Sequence, residues 1–369
     1  MKKVLFLIHD LGQGGAEKVL INLVNNMDRT KFDITVLSLF GGGVNEQFLN
    51  PNIHYITAFK RTIRGNSKLM KLFTPEQLHN FFVKDKYDIE ISYLEGSESR
   101  IISGCCSSST RLVSWVHVEQ HTKKAASSAF RSEKEAELCY SRFDQHVFVA
   151  ETVKEDFLSI FPQHKPCDVI YNTIESDKIL SLAKDSADEI IDDKSVKIAC
   201  TGSLKSVKGY ERLLRIIKRL TDEKYSIHLY ILGKGPLRGQ LEQYVNDNQI
   251  SDYVTFLGYQ TNPYKYVSKC DLFVCSSFRE GFSTAATEAL IVGTPVCTVE
   301  VSGMKEMLGE NNEYGVVTEN SEEALYQGIR SLLENPELLA HYKKQAEIRG
   351  KTFSKDRTVK AVERLFLKL

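Results

Sequence analysis

"VKIACTGSLKSVKGYERLL", residues 196–214, is an apolar strand that stops at a glycine and opens a helix. The same grammar stands in residues 4–24, "VLFLIHDLGQGGAEKVLINLV". There Val4–Ile8 is continuously apolar, as expected of a strand covered on both faces. A glycine loop follows, then a helix from about Gly15 to Met27 with Val19, Leu20, Leu23 and Val24 on one stripe. After the first opening come the strand-like runs "FDITVLSLF", "YDIEISYL", "TRLVSWV" and "DQHVFVA". After the second come "SIHLYILG", "VTFLG", "LFVCSS" and "TPVCTV". Strands alternating with helices specify an α/β fold with mostly parallel sheets. Two openings specify two doubly wound, Rossmann-like domains.

Between them, residues 174–194 are polar and acidic, with little to pack, so the boundary is placed near 170. This gives an N-terminal domain over 1–170 and a second over 171–350. From about 321 the chain is helical and strongly charged. The 369 residues exceed one core, and 42% hydrophobic residues suffice for two. Lys+Arg and Asp+Glu are both 48, so no nucleic-acid partner is expected. The eight cysteines include no C-x-x-C pair, so neither a zinc site nor a disulfide framework is expected, and a reducing cytosol fits. The first apolar run is too short for a signal peptide, and no stretch approaches the about 18 apolar residues of a membrane span.

Ligands of such sheets bind outside the carboxyl ends of the strands, which here face a cleft between the domains. "GQGGAE" has Glu17 where a dinucleotide fingerprint needs its third glycine, and no acidic residue ends the second strand, so NAD is disfavoured. The glycine turn can bring backbone close to a phosphate or sugar. D-x-D pairs are absent, which removes the obvious metal ligands. In "TGSLKSVKG", Lys205 and Lys208 sit at a helix start, where a lysine is unfavourable unless an anion binds. In "FREGFSTAATEAL", residues 278–290, Glu280 follows a strand end and a helix begins near Phe282 or Ser283. Ser283 or Thr284 can cap it. Small residues there leave first-turn N–H groups open to a diphosphate. Glu288 can accept two hydrogen bonds from a ribose diol. Tyr259, after "VTFLG", can stack on or flank the base.

These stretches resemble the family 4 retaining glycosyltransferases. "EGFSTAATE" looks like their E-x7-E motif, and "GGAEKVLINLV", "VIYN", "LKSVKGYERLL", "ILGKGPLRGQLE", "VTFLGY" and "ALIVGTPV" follow in the family's order. The resemblance implies the GT-B fold, with the donor in the C-terminal domain, the acceptor in the N-terminal domain, and a last helix, 351–369, returning to the latter. It implies metal-independent, retaining transfer from a nucleoside-diphosphate sugar, UDP-linked by family weight, with no cofactor. Glu280 matches the glutamate near the donor sugar and Glu288 the one on the ribose. Gly281, Phe282 and Ser283 match the diphosphate turn, and Lys208 the lysine that neutralises it. Gly202 precedes Ser203 and Leu204, where the family often reads G-R-L. The arginine is missing, so Lys205 either replaces it or the leaving group is held less well. Gly14 and Gly15 match the glycine loop facing the donor's phosphates or sugar, and His117 a histidine near the reacting sugar. The catalytic set is therefore His117, Glu280 and Lys208.

Two other readings stand. A sugar-nucleotide epimerase of the same fold would use cleft carboxylates such as Glu95 and Glu119. A non-catalytic partner subunit would be expected to have lost the motif residues. The stretch "FKRTIRGNSKLMKLF", 59–73, mixes Lys60, Arg61, Arg64, Lys68 and Lys71 with Phe59, Ile63, Leu69, Met70, Leu72 and Phe73. It is either a solvated segment or a contact with an anionic membrane surface. The latter suits a lipid-linked saccharide acceptor in bacterial surface-polysaccharide assembly, and a cytoplasmic enzyme peripheral to the membrane.

Overall fold

The computed structural model describes residues 1–12, 14–61, 65–190 and 194–369. Gln13 of the glycine loop, Ile63 and Arg64 of the basic stretch, and 191–193 of the acidic segment lie outside these. The chain forms two compact units, Met1–Thr173 with Lys355–Leu369, and Ile174–Ser354.

The first unit is a seven-stranded parallel sheet. Its strands are β1 (Lys2–Ile8), β2 (Phe32–Phe40), β3 (His54–Phe59), β4 (Ile89–Ser92), β5 (Arg111–Val116), β6 (Gln145–Phe148) and β7 (Cys167–Val169), in the order β3-β2-β1-β4-β5-β6-β7. Val4 to Ile8 are all buried, because helices cover both faces. The helix Gly15–Asn26 packs through Val19, Leu20, Leu23 and Val24. The helix Lys355–Lys368 closes the other end of the sequence onto this sheet. Its Phe366 ring lies 6.0 Å from Phe6 and 6.2 Å from Phe32, and Lys2 donates its ammonium to the Phe366 carbonyl at 3.0 Å.

The second unit is a six-stranded parallel sheet. Its strands are β8 (Val196–Thr201), β9 (Ile227–Leu232), β10 (Val254–Gly258), β11 (Leu272–Cys275), β12 (Val296–Val299) and β13 (Val316–Thr318), in the order β10-β9-β8-β11-β12-β13. Its core includes Leu213, Leu214, Ile216, Ile217 and Leu220 of the helix Tyr210–Asp222. Strand order reverses between β8 and β11. These pair only at Leu272 with Ile198 and Phe273 with Ala199. The loops leaving Thr201 and Cys275 therefore start side by side at a topological switch point, where open α/β sheets bind ligands.

Strands β3, β7 and β13 were not evident from sequence. All three are edge strands: β3 leaves His54, Ile56 and Thr57 exposed, so it lacks a buried apolar run. The charged tail is three helices, Glu322–Glu334, Pro336–Gly350 and Lys355–Lys368. The first break falls where Asn335 caps the next helix and Pro336 takes its first position.

Candidate active site

In the second unit the loops after β8 and β11 are stitched together. Gly209 has φ +64°, and a Cβ there would meet the Ser276 carbonyl oxygen at 2.0 Å, so only glycine permits this approach. Ser276 donates its hydroxyl to the Lys208 carbonyl at 3.0 Å. Arg212, only 2% exposed, donates Nε to the Ser276 carbonyl at 2.7 Å and Nη2 to the Ser277 carbonyl at 2.8 Å. Its guanidinium also lies over the Phe278 ring. Arg212 was not singled out in the sequence; the available signal was a cation on the apolar stripe of "YERLL".

This scaffold brings Lys208 Nζ to 2.7 Å from Glu280 Oε1. Ser277 donates its hydroxyl to the same oxygen at 2.6 Å. Burial is the largest single influence and works against the ammonium, yet the Glu280 charge, its hydrogen bond and the nearby Cys275 together hold Lys208 above its ordinary pKa. Gly202 lies beside the same lysine, since a Cβ there would be 3.8 Å from Lys208 Cε. The helix Thr284–Ile291 begins next, and Ser283 caps it by accepting from Ala286 N–H at 3.4 Å. Gly281 and Phe282 form the turn into it. Phe282 is buried, with its ring 6.3 Å from Phe353, so this residue offers a ligand only its backbone. Glu288 is buried one turn further, with the Tyr264 hydroxyl 3.5 Å from its Oε1.

Lys205 is exposed, and no ion pair holds it among the described residues. Arg212 does not replace the arginine missing at Ser203, because its donors serve carbonyls and Asn320. Tyr259 is 39% exposed, and Lys234 Nζ lies 5.1 Å from its ring centroid. A cation on one side leaves an aromatic platform of the kind a base can flank.

The first unit carries its own polar set at the carboxyl ends of β1, β4 and β5. His117 is buried. Its backbone N–H donates to Glu95 at 3.0 Å, and its ring bonds the Tyr93 carbonyl. Nε2 has no partner among the described residues, so Nδ1 makes that bond and Nε2 carries the lone pair. Burial pushes the ring's pKa down to about 3, so it is neutral. The Tyr93 ring packs 4.8 Å from His117, and its hydroxyl is buried without a partner among the described residues. Glu98 is 2% exposed, and burial pushes its carboxyl up to about 7. Tyr93 and Glu98 were missed in the sequence, where they look like a strand residue and a surface helix residue.

Gly14 caps the helix Gly15–Asn26 with no side-chain hydrogen bond. A Cβ at Gly14 would meet Glu17 Oε2 at 1.9 Å, so the carboxylate folds over the turn. An acidic group in that place suits the hydroxyls of a sugar better than phosphate oxygens. His9 Nδ1 lies 2.8 Å from Asp10, which also accepts from Gly12 N–H at 2.7 Å.

Two family models cover most of the chain. One, described as glycosyl transferases group 1, matches residues 183–349; the other, glycosyltransferase family 4, matches 13–178. The N-acetylgalactosamine-N,N'-diacetylbacillosaminyl-diphospho-undecaprenol 4-alpha-N-acetylgalactosaminyltransferase of Campylobacter jejuni is 28% identical over 371 residues, with 96% of each chain covered. Among solved structures, Anabaena HepE in complex with UDP and glucose superposes with a TM-score of 0.77 at 18% identity, covering 100% of both chains. The sucrose-phosphate synthase of Thermosynechococcus elongatus gives 0.79 at 16% identity, covering 100% of this chain and 99% of its own.

Proposed function

We propose a specific reaction for this chain, which belongs to the glycosyltransferases that the group 1 and family 4 models describe and has the GT-B fold. It moves a sugar from a UDP-linked donor to a saccharide acceptor on a lipid carrier, with retention at the anomeric carbon and no metal in the chemistry. The observation that carries this is the Lys208–Glu280 pair beside the start of the helix Thr284–Ile291, where Thr284 and Ala285 are half-buried. As the C–O bond to the diphosphate breaks, negative charge grows on the phosphate. Lys208 and the first-turn N–H groups are fixed in advance to meet it. Glu280 carries negative charge toward the donor sugar, where positive charge develops. Glu288 holds the ribose, and Tyr259 flanks the base. In the N-terminal domain, 1–170, His117 Nε2 accepts a hydroxyl of the reacting sugar, and the loop of Gly14 and Gly15, with Glu17, receives further hydroxyls.

UDP as donor nucleotide is supported by the HepE complex. A lipid-diphosphate acceptor is supported by the name of the Campylobacter relative. No helix among the described residues is long and apolar enough to cross a membrane. The chain instead presents an apolar edge. Leu69, Leu72 and Phe73 are 54%, 71% and 45% exposed, and Lys60, Arg61 and Lys68 of the same stretch of sequence are exposed too. Buried Arg100 donates to the Met70 and Phe73 carbonyls, and Arg131 to those of Lys71 and Leu72. The turn's carbonyls are thus anchored by these arginines while its apolar side chains face water. Met70 is buried and Phe59 packs on Phe40, so these two belong to the fold and not to the contact. We assign this edge to an anionic membrane on the cytoplasmic face.

The test is release of nucleoside diphosphate from UDP-, GDP- and ADP-sugars, with lipid-linked acceptor and chelator present, and NMR of the product's anomeric proton. An inverted product removes retention, and preference for a GDP-sugar removes UDP. No observation favours the epimerase or partner-subunit reading.

A further inference from the structure

Three ionisable side chains from separate elements of the first unit meet in its interior: His79 of the helix Pro75–Phe82, Glu90 of β4, and Cys105 after the helix Ser97–Ile102. They are 8%, 2% and 4% exposed. Their ligating atoms all lie within 4.8 Å of one another. His79 Nε2 is 2.7 Å from Glu90 Oε2, and Cys105 Sγ is 3.9 Å from Glu90 Oε1. The two carboxylate oxygens are therefore divided, one toward the imidazole and one toward the thiol. His79 Nδ1 is buried with no hydrogen-bond partner among the described residues. The convergence is built into the backbone: a Cβ at Gly104 would meet the Pro75 carbonyl oxygen at 2.0 Å, so glycine is needed to bring Cys105 against the helix that carries His79.

We propose that His79, Glu90 and Cys105 form a binding site for a zinc-type divalent cation, with Glu90 bidentate between the nitrogen and the sulfur. A thiolate, an imidazole and a carboxylate suit a borderline-soft d-block ion and not magnesium or calcium. Two carboxylate oxygens, one nitrogen and one sulfur supply four donors. Bond lengths of about 2.0–2.3 Å place the nitrogen, the sulfur and the carboxylate about 3.4–3.6 Å apart at three corners of a distorted tetrahedron, the two oxygens of the chelating Glu90 sharing one corner because the carboxylate holds them close together. To reach that spacing the histidine–glutamate distance must open from 2.7 Å and the cysteine–glutamate distance close from 3.9 Å. The charges balance, since one thiolate and one carboxylate neutralise the dication in an interior that tolerates no net charge. The ion is structural. It ties the helix Pro75–Phe82 and the turn at Gly104 to the central sheet, and takes no part in the donor chemistry carried by Lys208 and Glu280. The absence of a C-x-x-C spacing did not reveal it, because its donors stand 11 and 15 residues apart on three elements.

The purified full chain, stripped with chelator, is titrated with Co²⁺ alone. One equivalent is expected to give a thiolate-to-cobalt charge-transfer band that Zn²⁺ then abolishes. Cys105→Ser should remove the band, His79→Gln should weaken binding at least tenfold, and Cys139→Ser, a buried cysteine outside the cluster, should change neither. If a cluster variant does not fold, alkylation of the wild-type chain decides. Zn²⁺ should slow modification of Cys105, located by mass spectrometry, at least tenfold. Absence of the band, or a band that survives Cys105→Ser, overturns the site, as does Cys105 alkylation that Zn²⁺ leaves unchanged.

Discussion

Lys208 Nζ lies 2.7 Å from Glu280 Oε1, so two residues far apart in sequence form one ion pair at the start of a helix. A diphosphate arriving there competes with Glu280 for the lysine. Glu280→Gln is expected to leave UDP affinity equal or higher while lowering kcat. Lys208→Ala is expected to weaken UDP by about 1.5–3 kcal/mol, the range for a charged hydrogen bond. Titration calorimetry with UDP checks both, and a loss of affinity in Glu280→Gln would contradict the competition.

Lys205 tests the missing arginine. It is exposed and has no ion pair among the described residues, so it is free to swing onto a phosphate. If it does, Lys205→Ala costs about as much as Lys208→Ala in kcat/KM, roughly 10- to 150-fold. The cost then disappears in a Ser203→Arg background. A loss under about 1 kcal/mol in both backgrounds marks a solvated surface lysine.

Glu288→Ala should weaken donor binding by about 1.5–3 kcal/mol if the carboxylate holds the ribose. The same substitution tested against a 2'-deoxyribose donor should cost far less. Equal losses with both donors would make Glu288 a packing residue beside Tyr264.

His117 gives a prediction with a sign. Its folded pKa, about 3, lies below the ordinary 6.5. Below pH 6.5 the unfolded chain takes up this proton and the folded chain does not. The stability tied to the neutral ring is therefore present above 6.5 and lost as pH falls toward about 3, at about 1.4 kcal/mol per pH unit. Urea melts at pH 7 and pH 5 should show a smaller drop for His117→Asn than for the wild type. His117→Ala should lower turnover more than UDP affinity, and wild-type turnover would leave the residue structural.

Leu72→Glu combined with Phe73→Glu should reduce binding to anionic vesicles at low salt at least tenfold, with UDP affinity unchanged. Equal binding of the wild type to neutral and anionic vesicles would remove the electrostatic part of the contact.

The fold was legible where periodicity is strong. Val4–Ile8, the helix from Gly15 and the helix after Ser283 all stand where the residues placed them, because buried parallel strands, apolar stripes and caps leave local marks. What local reading could not supply was any pairing across the sheet. Lys208 and Glu280 could each be picked out, but their ion pair depends on β8 lying beside β11. Arg212, Tyr93 and Glu98 escaped for the same reason: each looks ordinary until its burial and neighbours are known.

The helix Lys355–Lys368, whose Phe366 fills the space against Phe6 and Phe32, belongs to the first sheet although the whole second unit precedes it in the chain. On the ribosome, the apolar groove around Phe6 and Phe32 must therefore wait, uncovered, while residues 174–354 are made and fold. The second unit can mature by itself; the first cannot finish before it. A chain cut before Lys355 would lack the Phe366 ring that packs on Phe6 and Phe32 and would leave that part of the first core uncovered.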